Sequence, residues 1–434
     1  MFTCNFFTYS KRGFTLDPYT LVRAFLNGRH GTFYNEDFYL YNSNLGIWEK
    51  ESLEDLTTQV AVFCNSIVPD SWSIDYRSSV KEVVRVILTE NQYDFASTDY
   101  ILCLTNGVFD ILTGELSPHS PEYFFTSNLG YKYNAKMKCP HFLKFLDDIC
   151  LQNENRKLAL LEFMGYALTY ETRAEQMLYL HGSGANGKST FLEILKLLVG
   201  KENYLSLEAK DLNDKYAKAD ILGKKVLAFP DLSIEDAKAG VTAKMKEIIS
   251  GDEISSDRKY LSRLSFKPQA KLIFCSNHQI SLLHDSTDGA QRRIDIFPFL
   301  AHFDETQRDV FLIDKLRKEL PAILRYAREG YIRFKKNNFC FSNHEESKKI
   351  LKKILSEGNP EHYFVTEMLE KKHSAFLSNK ELQKAFSDWC TENNLEICNF
   401  DRSNLTFNLK KEFNAEKCKS TNGIRGWKNL AIKK

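Results

Sequence analysis

The stretch LYLHGSGANGKSTFLEIL, residues 178–195, decides the fold. Gly182, Ser183, Gly184, Ala185, Asn186, Gly187, Lys188 and Ser189 fit the pattern G-x-x-x-x-G-K-[ST] without adjustment, and Thr190 follows. Running in, MLYLH (177–181) is a short apolar strand. Running out, Phe191, Ile194, Leu195 and Leu198 recur at helical spacing, so one helix face is core. Glycines at such a turn let backbone amides curl around phosphate oxygens at a helix N-terminus. Lys188 then brings a point charge to the β- and γ-phosphates, and the Ser189 hydroxyl can sit on Mg2+. The expected cofactors are ATP and Mg2+.

Kinases, switches and motors all use this loop, so the class is decided downstream. GKKVLAFPDLS (223–233) is an apolar strand ending in Asp231, 43 residues after Lys188, where a carboxylate can hold the magnesium shell. KLIFCSNHQ (271–279) is a second apolar strand whose end carries Asn277, able to bond a γ-phosphate or orient water. Arg292 and Arg293 precede an alternating strand, and an arginine there can reach a neighbouring subunit's nucleotide. Each feature alone is ordinary. A loop, an acid strand, an Asn strand and an arginine pair within residues 182–293 are not.

In these motifs the chain resembles the superfamily 3 helicases, AAA+ ring motors, in the branch of phage and plasmid primase–helicases and poxvirus-type replication proteins. The resemblance rests on GSGANGKST, VLAFPDLS, ISGDEISSDRKYLSRLSFKP, IFCSN and QRRIDIFPF in order, and upstream on CLTNGVFDILTGELSPHSPEYFFTSNLGYKYN with Asn106-Gly107. It implies an α/β fold with a AAA+ P-loop ATPase core (153–340), an α+β helicase-associated N-terminal domain (1–152) and a small winged-helix-like C-terminal domain (341–434). It further implies that residues 251–266 form a hairpin in a central channel. Arg258, Lys259, Tyr260 and Arg263 would then grip phosphates and stack a base. Two departures stand out: Pro230 occupies the place of an acidic neighbour to Asp231, and Gln291 that of a tryptophan. The general base is therefore open, with Glu235 and Asp236 nearby, and so is the choice between Arg292 and Arg293 as the finger.

Composition agrees with this reading. With 43% hydrophobic residues the chain can build real cores, and no apolar run reaches membrane-spanning length. The ten cysteines form no Cys-x-x-Cys pair, which excludes a zinc ribbon, and buried thiols explain Cys139 and Cys150 better than metal ligation with His141. Charge is segregated: residues 1–100 carry 8 Lys/Arg against 13 Asp/Glu, and residues 401–434 carry 9 against 3. The basic end is interleaved with Phe407, Phe413 and Trp427, and a helix bearing Lys410 and Lys411 suits DNA contact. The expected protein is a soluble, intracellular DNA helicase and replication initiator of a mobile element, virus or plasmid, in a bacterial cytoplasm or an organelle-plasmid setting. Its expected partners are single- and double-stranded DNA, further copies of itself in a hexamer, and a separate primase or polymerase; no primase domain is expected within the chain. The rival is an AAA+ ATP switch that marks DNA without unwinding it.

Overall fold

The computed structural model describes residues 6–10, 13–214, 217–231, 241–258, 261–276, 292–393, 395 and 401–433. At the N-terminal end, helices Pro18–Leu26, Leu53–Ile67 and Arg77–Glu90 pack together beside an antiparallel sheet of Gly31–Tyr34, Asp37–Asn42 and Ile47–Glu51. Their apolar stripes meet in one core that includes Val22, Leu56, Val60, Val84 and Leu88. Ser52 stops the sheet and starts a helix, its hydroxyl accepting the Asp55 N–H at 3.0 Å.

A second core begins at the hairpin Ile101–Leu104 and Gly107–Asp110. Thr105 and Asn106 make its turn, and Gly107 opens the second strand opposite Leu104. Gly107 has φ +144°, and a Cβ there would stand 2.3 Å from the Ser117 carbonyl. The Asn106 side chain accepts from Tyr133 N at 2.9 Å and donates to Tyr133 O at 3.1 Å, tying the turn to the following segment. From there the apolar cluster runs without a break through Phe142, Ile149, Leu160 and Phe163 to Phe191, Leu195, Leu324 and Phe341.

The core thus crosses residue 152. The polar run at 151–157 turns between two packed helices, Pro140–Cys150 and Glu154–Ala167, and its last four residues open the second. Leu151 (φ 52°) and Gln152 (φ 59°) make a left-handed turn, and Asn153 caps the second helix by accepting from Arg156 N at 3.2 Å. That second helix has no single apolar stripe, because neighbours cover it all round. It meets helix Leu320–Lys336 backbone to backbone: a Cβ on Gly165 would lie 2.0 Å from the Ala327 carbonyl, and one on Gly330 2.3 Å from that of Leu161.

The central sheet has five parallel strands, in the order Tyr204–Ser206, Val226–Phe229, Lys271–Ser276, Met177–His181 and Ile294–Pro298. Strands covered on both faces read as continuous apolar runs, as VLAF and MLYL do. One face joins the core just described; the other packs Tyr179, Phe229 and Phe274 against Ile248, Leu351 and Ile354. The phosphate-loop strand lies between Lys271–Ser276 and Ile294–Pro298, while the chain leaving it crosses to the far edge. Such a switch in direction opens a crevice beyond the C-terminal strand ends.

The C-terminal segment follows helix His344–Gly358. It runs helix Pro360–Met368, strand Leu369–Ser378, helices Asn379–Glu392 and Arg402–Phe413, then strands Glu416–Lys419 and Arg425–Ile432. The last strand lies between the other two, antiparallel to both. Leu382, Phe386 and Trp389 share one helix face, as their spacing predicts, and pack with Leu405, Leu409 and Trp427. Ser378 and Glu381 form a capping box.

Candidate nucleotide site and nucleic-acid surfaces

The loop Gly182–Gly187 sits in the crevice at the end of its strand, and Lys188 opens the helix Lys188–Val199. Gly184 (φ 98°) and Gly187 (φ 92°) take the left-handed backbone the turn requires. Asn186 is buried, its Nδ2 donating to the Phe299 carbonyl at 3.2 Å, while Phe303 N donates to the Ala185 carbonyl at 2.8 Å. The segment after strand Ile294–Pro298 therefore braces the loop from behind.

Lys188 Nζ donates to the Gly182 carbonyl at 2.6 Å, so the loop's cation lies back along its own backbone. Burial lowers the Lys188 pKa. Burial, then the Lys188 charge, lowers that of His181, which keeps the imidazole neutral beside the loop. Burial pushes the Cys275 thiol up to about 12, and both Lys188 and Asp231 act on it electrostatically. The exposed Asp231 follows the C-terminal end of strand Val226–Phe229, which runs parallel to its neighbours and so ends on the loop's side of the sheet.

A cavity of about 280 Å³ is lined by Gly184 to Thr190, Leu192, Pro230 and Cys275. Ser189 is exposed at its helix N-terminus. A larger cavity of about 690 Å³ shares Ala185, Gly187 and Thr190 with it and reaches Phe145, Phe303 and Ile313, with Asp148 and Arg308 at its wall. The smaller space suits phosphates, and the larger, partly apolar one suits a nucleoside. Sequence reading missed the larger cavity, because its walls come from three separate segments that share no pattern.

Arg292 and Arg293 lie at the start of strand Ile294–Pro298, beside Met177, whose N–H donates to the Arg293 carbonyl at 2.8 Å. They are thus at the opposite end of the sheet from the loop, five residues or about 16 Å along the strand. Arg293 is largely buried, its side chain 15% exposed, and donates to Ser250 Oγ at 2.8 Å and to Glu175 at 3.4 Å. Arg292 is 69% exposed, its closest approach to Glu175 being 3.9 Å. Asn277, Gln291, Glu235 and Asp236 lie outside the described residues.

Residues 251–266 do contain a hairpin: Ile254–Arg258 pairs antiparallel with Leu261–Phe266, with Arg258 opposite Leu261. Arg258 and Arg263 lie on its strands. Lys259 and Tyr260, between them, lie outside the described residues. Lys410 and Lys411 are exposed on helix Arg402–Phe413, one turn beyond Phe407, which is 63% exposed. Cys139 and Cys150 are buried, with pKa values pushed by burial up to about 11 and about 12. Among the described residues no group of three or more His, Cys, Asp or Glu is placed to hold a metal ion, and no helix is long and apolar enough to cross a membrane.

An α/β protein with a five-stranded parallel sheet and a glycine-rich loop at its switch point is the class that fold and site define. A family described as "D5 N terminal like" matches residues 24–151, and a family of unknown function, DUF5906, matches residues 180–293. "Putative helicase L207/L206" of Acanthamoeba polyphaga mimivirus is 28% identical over 217 residues, 47% of this chain and 22% of that protein. "Uncharacterized mitochondrial protein ymf21" of Marchantia polymorpha is 25% identical over 115 residues, 24% of this chain and 64% of that protein. The chain therefore spans about a fifth of the first relative and under two thirds of the second. Two apo structures of the NrS-1 C-terminal region each have TM-score 0.53, at 12% and 13% identity, and each covers 96% of this chain. Matched over 100% and 99% of their own lengths, they share the fold. Together the comparisons show a D5 N terminal like segment, a partial likeness to a viral protein described as a putative helicase, and a fold shared with the NrS-1 C-terminal region.

Proposed function

We propose that the chain is an ATP-hydrolysing DNA helicase and replication initiator of superfamily 3, an AAA+ protein whose subunits act as a ring, expected to be a hexamer. ATP lies with its phosphates over Gly182–Thr190 and its nucleoside in the larger cavity. Mg2+ fits the donors present: the exposed Ser189 hydroxyl, which lines the phosphate cavity, and the exposed Asp231, next in sequence to the cavity-lining Pro230. When bound, the ion neutralises charge on the phosphates; Lys188 leaves the Gly182 carbonyl to do the same, and Asn277 orients the attacking water.

The observation that carries the reading is the position of Arg292. It is exposed, yet a whole strand length from the loop of its own subunit. An arginine so placed serves a nucleotide held by a neighbouring copy, with Arg293 locked behind it in a structural pairing. The hairpin at 254–266 then follows one DNA strand, and the C-terminal segment, whose helix and strand order suits a winged helix, holds DNA through Lys410 and Lys411.

Strand displacement tests this. The purified chain should displace an annealed strand in an ATP-dependent way, and Lys188→Ala should not. ATP hydrolysis without displacement on any fork would leave a switch rather than a motor. Equimolar Lys188→Ala and Arg292→Ala subunits, each inactive alone, should regain ATPase on mixing.

A further inference from the structure

Among the described residues the strand Ile294–Pro298 is an edge strand, and its outer edge is held by side chains rather than by another strand. Residues of a parallel strand present their N–H and C=O to alternate sides. Arg293 and Phe299 bond the phosphate-loop strand: Met177 N donates to Arg293 O at 2.8 Å, and Phe299 N to His181 O at 2.7 Å. Ile296 therefore faces outward. There its N–H donates to Ser347 Oγ at 2.7 Å, and its carbonyl accepts from Asn343 Nδ2 at 3.2 Å. Ser347 and Asn343 are both buried, so this is a built clamp. Next to it the fully buried Asp295 faces His344 Nδ1 at 3.6 Å. Pro298, the next outward residue, has no N–H to offer a further strand.

The clamp stands on firm ground. Glu346, on the same helix turn, pairs with the buried Arg156, and Ser342 donates through N and Oγ to the buried Glu162 at 2.8 and 2.6 Å. The clamped strand has a reacting group at each end. Its far end reaches the phosphate loop through the Phe299 carbonyl and Asn186, and its near end emerges from Arg292.

We propose that Asn343 and Ser347 are positioning residues for Arg292: by fixing the outer edge of this strand they aim the arginine at the nucleotide of the adjoining copy. This rests on the assignment of Arg292 above. The clamping helix runs on into the C-terminal segment through Asn359 and Pro360, so that segment and the arginine share one support.

The experiment uses the full chain carrying Asn343→Ala and Ser347→Ala together, with Ser347→Thr, which keeps a hydroxyl, as the conservative variant. The double variant should keep KM for ATP within about twofold while kcat falls by about 10- to 100-fold, the loss expected for a misaimed group. Its own loops remain competent, so mixing it with Lys188→Ala subunits, which still offer Arg292, should restore hydrolysis. Mixing it with Arg292→Ala subunits should not. Ser347→Thr should retain most activity. Should the double variant fold poorly, shown by a lowered Tm and lost nucleotide binding, Asn343→Ala alone carries the same mixing test. An unchanged kcat, a loss mainly in KM, or a loss that Lys188→Ala subunits do not relieve overturns the proposal. Full activity of Arg292→Ala would instead overturn the arginine assignment, and the proposal with it.

Discussion

Two lysines sit where lysine is least expected. Lys225 and Lys271 stand side by side at the starts of adjacent strands, almost wholly buried. Lys225 Nζ donates to the Leu168 carbonyl at 2.7 Å and lies 4.6 Å from the Tyr170 ring centre. Lys271 Nζ donates to the carbonyls of Thr169 and Gln269. Both amines thus finish the helix Glu154–Ala167 by taking carbonyls at its C-terminal end. Burial lowers the Lys225 pKa from its ordinary 10.5 to about 7, and burial followed by Lys225 itself lowers that of Lys271 further. In the folded chain Lys225 loses its proton near pH 7; in the unfolded chain it keeps it to about 10.5. Between those values the unfolded state binds more protons, so stability rises with pH, by about 1.4 kcal/mol per pH unit and roughly 5 kcal/mol across the window. Below pH 7 both states hold the proton and the dependence vanishes. Lys225→Met has no proton to exchange. In urea unfolding followed by helical circular dichroism at pH 7, 8 and 9, wild type should gain on Lys225→Met by about 1 kcal/mol in the first step, where the folded lysine is still half protonated at the start, and by about 1.3 kcal/mol in the second. A gap constant to within about 0.5 kcal/mol would mean that the folded chain keeps Lys225 charged, and the burial argument would be wrong.

Gly330→Ala should lower stability by about 3 kcal/mol or more, because the new methyl meets the Leu161 backbone at 2.3 Å and neither helix can move without opening the shared core; a melt within 2 °C of wild type would contradict the packing. Lys410→Ala and Lys411→Ala should each reduce the slope of log K against log salt for duplex DNA by about 1, with little change in discrimination between sequences. An unchanged slope would remove both from the DNA surface.

What was legible in the sequence is what depends on local pattern. The loop, its strand and its helix follow from residues 177–198, and the buried strands at 226–229 and 271–276 from continuous apolar runs. The shared face of Leu382, Phe386 and Trp389 was equally open to reading, whereas the hairpin around 251–266 was expected only from the family resemblance, its own residues reading as a solvated charged turn. The illegible parts depend on distant partners. Nothing near Arg293 announces Ser250 or Glu175, so sequence could not separate it from Arg292. Nothing near Ile296 announces Asn343 and Ser347, more than forty residues on. The run LQNENRK has the composition of a linker, yet each residue from Leu151 to Asn153 has a conformational task between packed helices.

That turn bears on how the nucleotide site is built. A Cβ on Gly187 would stand 2.6 Å from the Ile149 side chain, and Phe145 of the same helix lines the larger cavity. Glu319 caps that helix, accepting from His141 N at 3.1 Å and Phe142 N at 2.8 Å. Tyr131 donates its hydroxyl to the Leu198 carbonyl at the end of the loop's own helix, at 2.8 Å. Helix Pro140–Cys150 is therefore a wall of the proposed nucleotide site, held to the loop by direct contact. Residues 6–90 keep a core of their own. A motion of the loop would press first on helix Pro140–Cys150, on one side, and on the end of strand Ile294–Pro298, through Asn186 and Phe299, on the other. The first contact is apolar and close-packed; the second side is polar, with Asn186 Nδ2 on the Phe299 carbonyl and Phe303 N on the Ala185 carbonyl. A packed apolar wall resists displacement, whereas hydrogen bonds can lengthen or realign at smaller cost. The yielding side is then the strand that begins at the arginine pair.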